Sequence, residues 1–158
     1  MPPSTLVKTV GAVLVTATVG GLASRPAKST WYARLRKPSF QPPPQAFGMV
    51  WPLLYADIAA VSASTIDDLS GRRPEQARVY AALLSANLLL NASWTWLFFS
   101  RRRLGAAAIS AAVLTASSAD LTRRSVDARG SSAAVLGLYP LWCAFATLLS
   151  TRIWQLNR

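Results

Sequence analysis

Five apolar runs, separated by short segments that hold most of the charge, constrain this chain more than any other feature. They cover residues 5–24, 45–66, 76–99, 104–121 and 131–153. A bilayer core is crossed by about 20 apolar residues of helix, and each run is close to that length. A helix satisfies its own backbone polar groups where no water is present to do so. The expected fold class is therefore all-α: a polytopic membrane protein, one domain over residues 1–158, built as a five-helix transmembrane bundle. Residues 25–44 form the longest connection and are expected to lie over the bundle as a lid.

The composition agrees. Hydrophobic residues make up 52% of the 158 residues and charged residues 15%, where soluble domains carry about 25% charged residues. The net charge of +11 invites a nucleic-acid reading. However, the cations sit in clusters between apolar runs, whereas nucleic-acid binding calls for a continuous basic face, so no nucleic-acid partner is expected. The chain has no histidine, which removes the usual acid/base group near neutral pH and the commonest zinc and haem ligand. Cys143 is alone and lies in an apolar run, so neither an internal disulfide nor a cysteine-based metal site is expected.

The first run offers Gly21 and Ala23 as small residues at a signal-cleavage position, but its length and the runs that follow favour a retained span. Gly11, Thr16, Ala17, Gly20 and Gly21 would let a second helix approach it closely. The lid is proline-dense, with Pro38, Pro42, Pro43 and Pro44, and cannot be helical throughout. Arg25, Lys28, Arg34, Arg36 and Lys37 make it basic. The second run opens with Phe47, Trp51 and Tyr55, spaced four apart and so on one helical face. Pro52 predicts a bend or a freed carbonyl. Asp57 is an ionisable group at membrane depth and is expected to face protein or water.

Residues 67–78 read as a polar hairpin with a Ser-Gly turn. In the third run Tyr80, Leu84, Asn87, Asn91, Trp94 and Phe98 fall on one face. Two roles stay open for the two carboxamides: hydrogen-bonded glue between helices, or the polar edge of a ligand site against which Trp94 packs. The fourth run is mostly small residues. In the fifth, Leu138, Trp142, Phe145 and Leu149 share a face, making Trp142 a second aromatic wall. Lys and Arg number seven over the N-terminus and the second and fourth loops, against ten over the first and third loops and the C-terminus. The positive-inside rule then predicts an outside N-terminus, with the lid and C-terminus in the cytoplasm.

Three stretches, WYARLRKPSFQPPPQAFGMVWPLLY from Trp31, LLLNASWTWLFF from Leu88 and YPLWCAFATLLSTRIWQLN from Tyr139, resemble the TspO/MBR family (tryptophan-rich sensory protein / translocator protein, including the peripheral-type benzodiazepine receptor). The resemblance implies a five-helix membrane bundle, commonly a homodimer; the expected location is a bacterial cytoplasmic membrane. The resemblance also implies a pocket near the first loop for tetrapyrroles such as protoporphyrin IX and other flat apolar ligands. Carried over, the pocket wall includes Tyr32, Trp51, Asn91, Trp94 and Trp142, to which the helical faces add Phe47, Tyr55, Asn87, Phe98 and Phe145. Some bacterial members are reported to promote light-dependent porphyrin breakdown, which here would run through Trp51 and Trp142. Asp57-Ile58 stands where the family often has Met-Gly, Asn87 where it often has Gln, Ser150 where it has Asn, and Thr151 where the animal cholesterol pattern needs Tyr. Cholesterol is therefore a disfavoured ligand.

The functional expectation is a porphyrin-binding receptor or transporter acting in tetrapyrrole handling or stress signalling. Light-dependent porphyrin degradation and a ligand-free membrane scaffold are the alternatives. Aromatic faces stack on a macrocycle, and lid cations meet its carboxylates. The lack of histidine favours a metal-free porphyrin, with no cofactor and no bound metal. No acid/base pair or nucleophile constellation supports ordinary catalysis.

Overall fold

The computed structural model describes residues 3–25 and 29–158; Lys28 of the lid lies outside the described residues. Among these residues the secondary structure is helical, with no strand. α1 (Pro3–Ala23), α3 (Pro44–Arg72), α4 (Pro74–Thr95), α5 (Leu104–Arg129) and α6 (Leu138–Leu156) are long, and α2 (Thr30–Arg34) is a single short helix within the lid. A π-helical turn at Trp96–Ser100 prolongs α4, and 3-10 geometry at Gly130–Gly137 joins α5 to α6.

Four continuous helical stretches are long and apolar enough to cross a membrane: Pro3–Ala23, Pro44–Arg72, Pro74–Ser100 and Leu104–Leu156. The last has 53 residues, roughly 80 Å at 1.5 Å per residue, far beyond one bilayer. It is folded back on itself. The Thr115 and Thr147 hydroxyls meet at 3.1 Å, and a Cβ added to Gly105 would lie 3.1 Å from the Trp154 indole. These pairings are symmetric about Gly130, so α5 and α6 run antiparallel.

Burial is arranged for a bilayer, with large apolar side chains facing outward on every long helix. Val7, Met49, Leu53, Leu89, Ile109 and Leu141 are each 68–72% exposed. The interior holds Ile58, Leu84, Leu121, Leu136, Tyr80 and Tyr139 together with several hydroxyl and amide side chains. Such an inside-out distribution suits lipid as the solvent. α1 contributes Thr9, Val13, Thr16 and Gly20 to the interior. Gly20 comes near Thr95 and Tyr55, whereas Gly11 and Gly21 face open space, where an added Cβ would meet nothing within 4 Å. Only part of that small-residue set therefore serves helix packing.

Helix boundaries differ from the sequence expectation at the α3–α4 junction, at the end of α5 and at the start of α6. The Ser70-Gly71 turn signal is overridden, and α3 continues to Arg72. Arg129 holds Asp68 at 2.9 Å, and the Arg72 guanidinium donates to the Ala128 carbonyl at 2.9 Å, so this last turn is fastened to α5. The hairpin shrinks to Arg73, driven out of helical geometry (φ −148°, ψ 71°) because it precedes Pro74. α5 runs past residue 121 to Arg129, supported by Asp120–Arg124 and Arg123–Asp127 pairs at helical spacing. The fifth run begins as 3-10 geometry, and α6 itself starts at Leu138. Pro52 stays inside an unbroken α3.

Candidate functional site

At the lid end of the bundle the aromatic side chains form a nearly continuous layer. Trp51 and Tyr55, one turn apart on α3, stack with ring centroids 5.4 Å apart. Phe47, one turn earlier, meets Trp142 of α6 edge-on at 5.7 Å, and Trp142 leans on Phe145 at 5.4 Å. From the lid, Phe40 covers Phe145 at 6.3 Å. At the end of α4, Trp94 lies 5.9 Å from Phe98, which is met edge-on by Trp31 and Tyr32. Edge-to-face and offset contacts of this kind suit the ring quadrupoles. Tyr32, Phe47, Trp94, Phe98 and Phe145 join one apolar cluster with Leu149 and Ile153. Trp51, Tyr55 and Trp142 pack on the adjoining main core.

Asn87 and Asn91 lie deeper and are engaged with protein. The Tyr55 hydroxyl donates to Asn91 Oδ1 at 3.1 Å, and Asn91 Nδ2 donates to the Tyr139 hydroxyl at 3.1 Å. Tyr139 in turn donates to Asn87 Oδ1 at 2.8 Å, and Asn87 Nδ2 donates to Ser117 at 3.1 Å. This relay crosses α3, α4, α6 and α5, and its three central members are 0–2% exposed. Of the two roles open to the carboxamides, the geometry supports glue. Trp94 Nε1 donates to Ser150 at 3.2 Å, so the residue standing in place of the family's Asn keeps a polar task. Asp57 is half-buried, with one carboxylate oxygen shielded and unpaired among the described residues.

The lid is held by polar contacts that its proline content did not reveal. Ser29 caps α2 by accepting from the Tyr32 amide. Lys37 Nζ donates to the Tyr32 carbonyl at 2.8 Å while lying 4.4 Å above that ring's centroid. Gln41 Nε2 donates to the Tyr32 hydroxyl at 3.2 Å. Burial raises the Tyr32 pKa, with the Gln41 bond opposing it, so the phenol stays neutral and able to donate. Beyond α6, Asn157 accepts from the Arg36 amide and donates to the Arg36 carbonyl, both at 2.9 Å, imitating a backbone pair. This latch predicts that Asn157→Ala will increase trypsin cleavage after the exposed Arg34 and Arg36 about tenfold, from two lost hydrogen bonds. Global melting should hardly change, and an unaltered cleavage rate would remove the latch.

Two polar atoms in this layer are buried without a partner among the described residues: the Trp142 indole donor Nε1 and the Gln41 acceptor Oε1. Sequence reasoning named Trp142 as a wall but missed its open donor. It also missed Trp31, Phe40 and Asn157, whose partners lie on distant segments, and Gln41, which meets Tyr32 within the lid.

A polytopic helical membrane protein with a lidded, aromatic-lined end is the class that fold and site define. The TspO/MBR family model matches residues 9–155. The human Translocator protein is 33% identical over 127 residues, covering 80% of this chain and 75% of its own length. The Translocator protein of Ovis aries is 35% identical over 156 residues, covering 98% and 88%. The Tryptophan-rich protein TspO of Bacillus cereus is 32% identical over 132 residues, covering 84% of each. The chain belongs to the TspO/MBR family.

Proposed function

We propose that this protein binds a metal-free porphyrin, such as protoporphyrin IX, beneath its lid, as a receptor or transporter in tetrapyrrole handling or stress signalling. The observation that carries this reading is two buried atoms without partners among the described residues, Trp142 Nε1 and Gln41 Oε1, within a layer rich in aromatic rings. Unpaired buried polar groups are costly and uncommon in native folds, and a ligand offering an acceptor and a donor would satisfy them. The rings now pack on one another, so entry parts Phe40 from Phe145 and Phe47 from Trp142. Arg34 and Arg36 are exposed on the lid and would meet one propionate at the rim, leaving the other for the Trp142 donor, while Lys37 is already committed to Tyr32.

The same reading includes five membrane crossings, supported by the outward apolar side chains on all five long helices and the fold-back of α5 on α6. It includes a homodimer, on the family resemblance. It also includes a bacterial cytoplasmic membrane, with the charge count supporting an outside N-terminus and a cytoplasmic lid and C-terminus.

Titrating protoporphyrin IX into the detergent-purified protein in the dark should give saturable quenching of tryptophan fluorescence, and Trp51→Phe should weaken it several-fold. Linear quenching, equal to that of free tryptophan, would overturn the proposal. Parallel illuminated samples separate binding from breakdown: a porphyrin product formed only in light would add photo-oxidation through Trp51 and Trp142, and its absence leaves binding alone.

A further inference from the structure

At the end of the bundle opposite the lid, a cavity of about 320 Å³ opens where α3, α4 and α5 meet. It falls at the lower end of the range for small-ligand sites, about 300–1,000 Å³. Its floor is apolar and aromatic. Leu69 is buried, and the Tyr80 ring is held in place because its hydroxyl contacts Ser62 at 3.1 Å and Ser125 at 2.9 Å. That hydroxyl is thus occupied, and Tyr80 supplies a wall. Its rim is cationic, with Arg73 from the α3–α4 junction and Arg123 and Arg124 from α5.

The carboxylates at this end occupy Arg123 but leave donors free on Arg124 and Arg73. Glu75 and Asp127 also line the cavity, but Glu75 pairs with Arg78 at 3.2 Å and Asp127 with Arg123 at 3.0 Å. Asp120 holds Arg123 at 2.7 Å and takes only Nε of Arg124, also at 2.7 Å. It therefore fixes the direction of Arg124 while leaving both of its Nη nitrogens without a hydrogen bond among the described residues. Arg73 makes a single long side-chain contact, 3.5 Å to Gln76. Two guanidiniums with donors to spare, one of them pre-oriented, suit a phosphate oxygen pair.

The outer edge of the cavity identifies the source of that phosphate. Val79 lines it and is 46% exposed on the outer surface of α4, so the apolar floor runs out onto the outside of the bundle, where acyl chains would reach it. A free phosphate would use the arginines and leave that floor unused. An amphiphile with a phosphodiester head and acyl chains uses both, at the depth where lipid headgroups lie. We infer that the cavity between Arg73, Arg124 and Tyr80 is a binding site for the headgroup of an anionic phospholipid. This site is separate from the porphyrin reading and does not depend on it.

The test uses the full chain in detergent, titrated with phosphatidylglycerol or phosphatidylcholine and followed by native mass spectrometry of retained lipid. Phosphatidylglycerol should be retained in preference. Arg73→Gln and Arg124→Gln should each lower that retention about fivefold, in line with the worth of one basic side chain at an anionic surface. Arg101→Gln, at the lid end, should leave it unchanged. Arg73 is exposed, so its variant carries the test even if the Arg124 variant folds poorly by circular dichroism. Equal retention of the two lipids, or equal losses in the Arg101 and Arg73 variants, would overturn the inference. Complete displacement of phosphatidylglycerol by millimolar inorganic phosphate would also overturn it, in favour of a free-anion site.

Discussion

Trp142→Phe is expected to leave the empty protein about as stable as before while weakening protoporphyrin IX binding about tenfold. The indole N–H is buried and unpaired among the described residues, so its removal breaks no protein hydrogen bond. A phenyl ring keeps contact with Phe47 and Phe145 but fills less space. The loss of packing is opposed by relief of an orphan donor, worth about 1–3 kcal/mol, leaving a small net change. A ligand carboxylate that accepts from this N–H loses a charge-assisted bond of about 1.5–3 kcal/mol, and about 1.4 kcal/mol is tenfold in affinity. Trp94→Phe is the matched contrast. Its indole donates to Ser150, so that change should lower the melting midpoint and move affinity less. Melting curves and fluorescence titrations of the two variants give the four values needed. Unchanged porphyrin affinity in Trp142→Phe would remove Trp142 from the ligand contacts.

The contrast between these two tryptophans shows where the sequence could be read and where it could not. Both lie on faces with clear helical spacing, and that spacing is enough to point them inward. What each indole nitrogen meets depends on a residue far along the chain: Ser150 for Trp94, and no described residue for Trp142. The stripe of Phe47, Trp51 and Tyr55 was legible for the same local reason, whereas Phe40, the lid ring that closes on Phe145, sits in a loop with no period to mark it. The inward face carrying Asn87 and Asn91 was legible too, because lipid cannot satisfy a carboxamide. Their engagement by Tyr55 and Tyr139 required knowing which helices adjoin. Local signals also lost outright. Ser70-Gly71 has turn chemistry, but Arg129 and the Ala128 carbonyl fasten the last turn of α3, and only Pro74 ends it. The lid is proline-dense only from Pro38 onward, and the proline-free residues just before it leave room for one capped turn at Thr30–Arg34.

The largest stability effect is expected at Tyr139, the hub of the buried relay. Tyr139→Phe deletes one hydroxyl and leaves two groups without partners: Asn91 Nδ2, which donates to it, and Asn87 Oδ1, which accepts from it. Tyr139 and Asn87 are 0% exposed and Asn91 2%, inside a bundle built for a bilayer, so water is poorly placed to replace either bond. An orphaned polar group costs about 1–3 kcal/mol in soluble proteins, while interhelical hydrogen bonds in membranes average about 0.6 kcal/mol. Two orphans together should cost about 2 kcal/mol, a drop of roughly 4–8 °C in melting midpoint for a domain of this size. Adding Asn87→Leu and Asn91→Leu to Tyr139→Phe replaces the inner relay by apolar groups of similar bulk. That triple variant should be less destabilised than the sum of its single changes, because no half-satisfied amide remains. Porphyrin affinity should fall by less than in Trp142→Phe, since none of these groups is exposed toward the lid. If Tyr139→Phe leaves the midpoint unchanged but lowers affinity tenfold, the carboxamides are ligand contacts, and the relay is not what holds the four helices together.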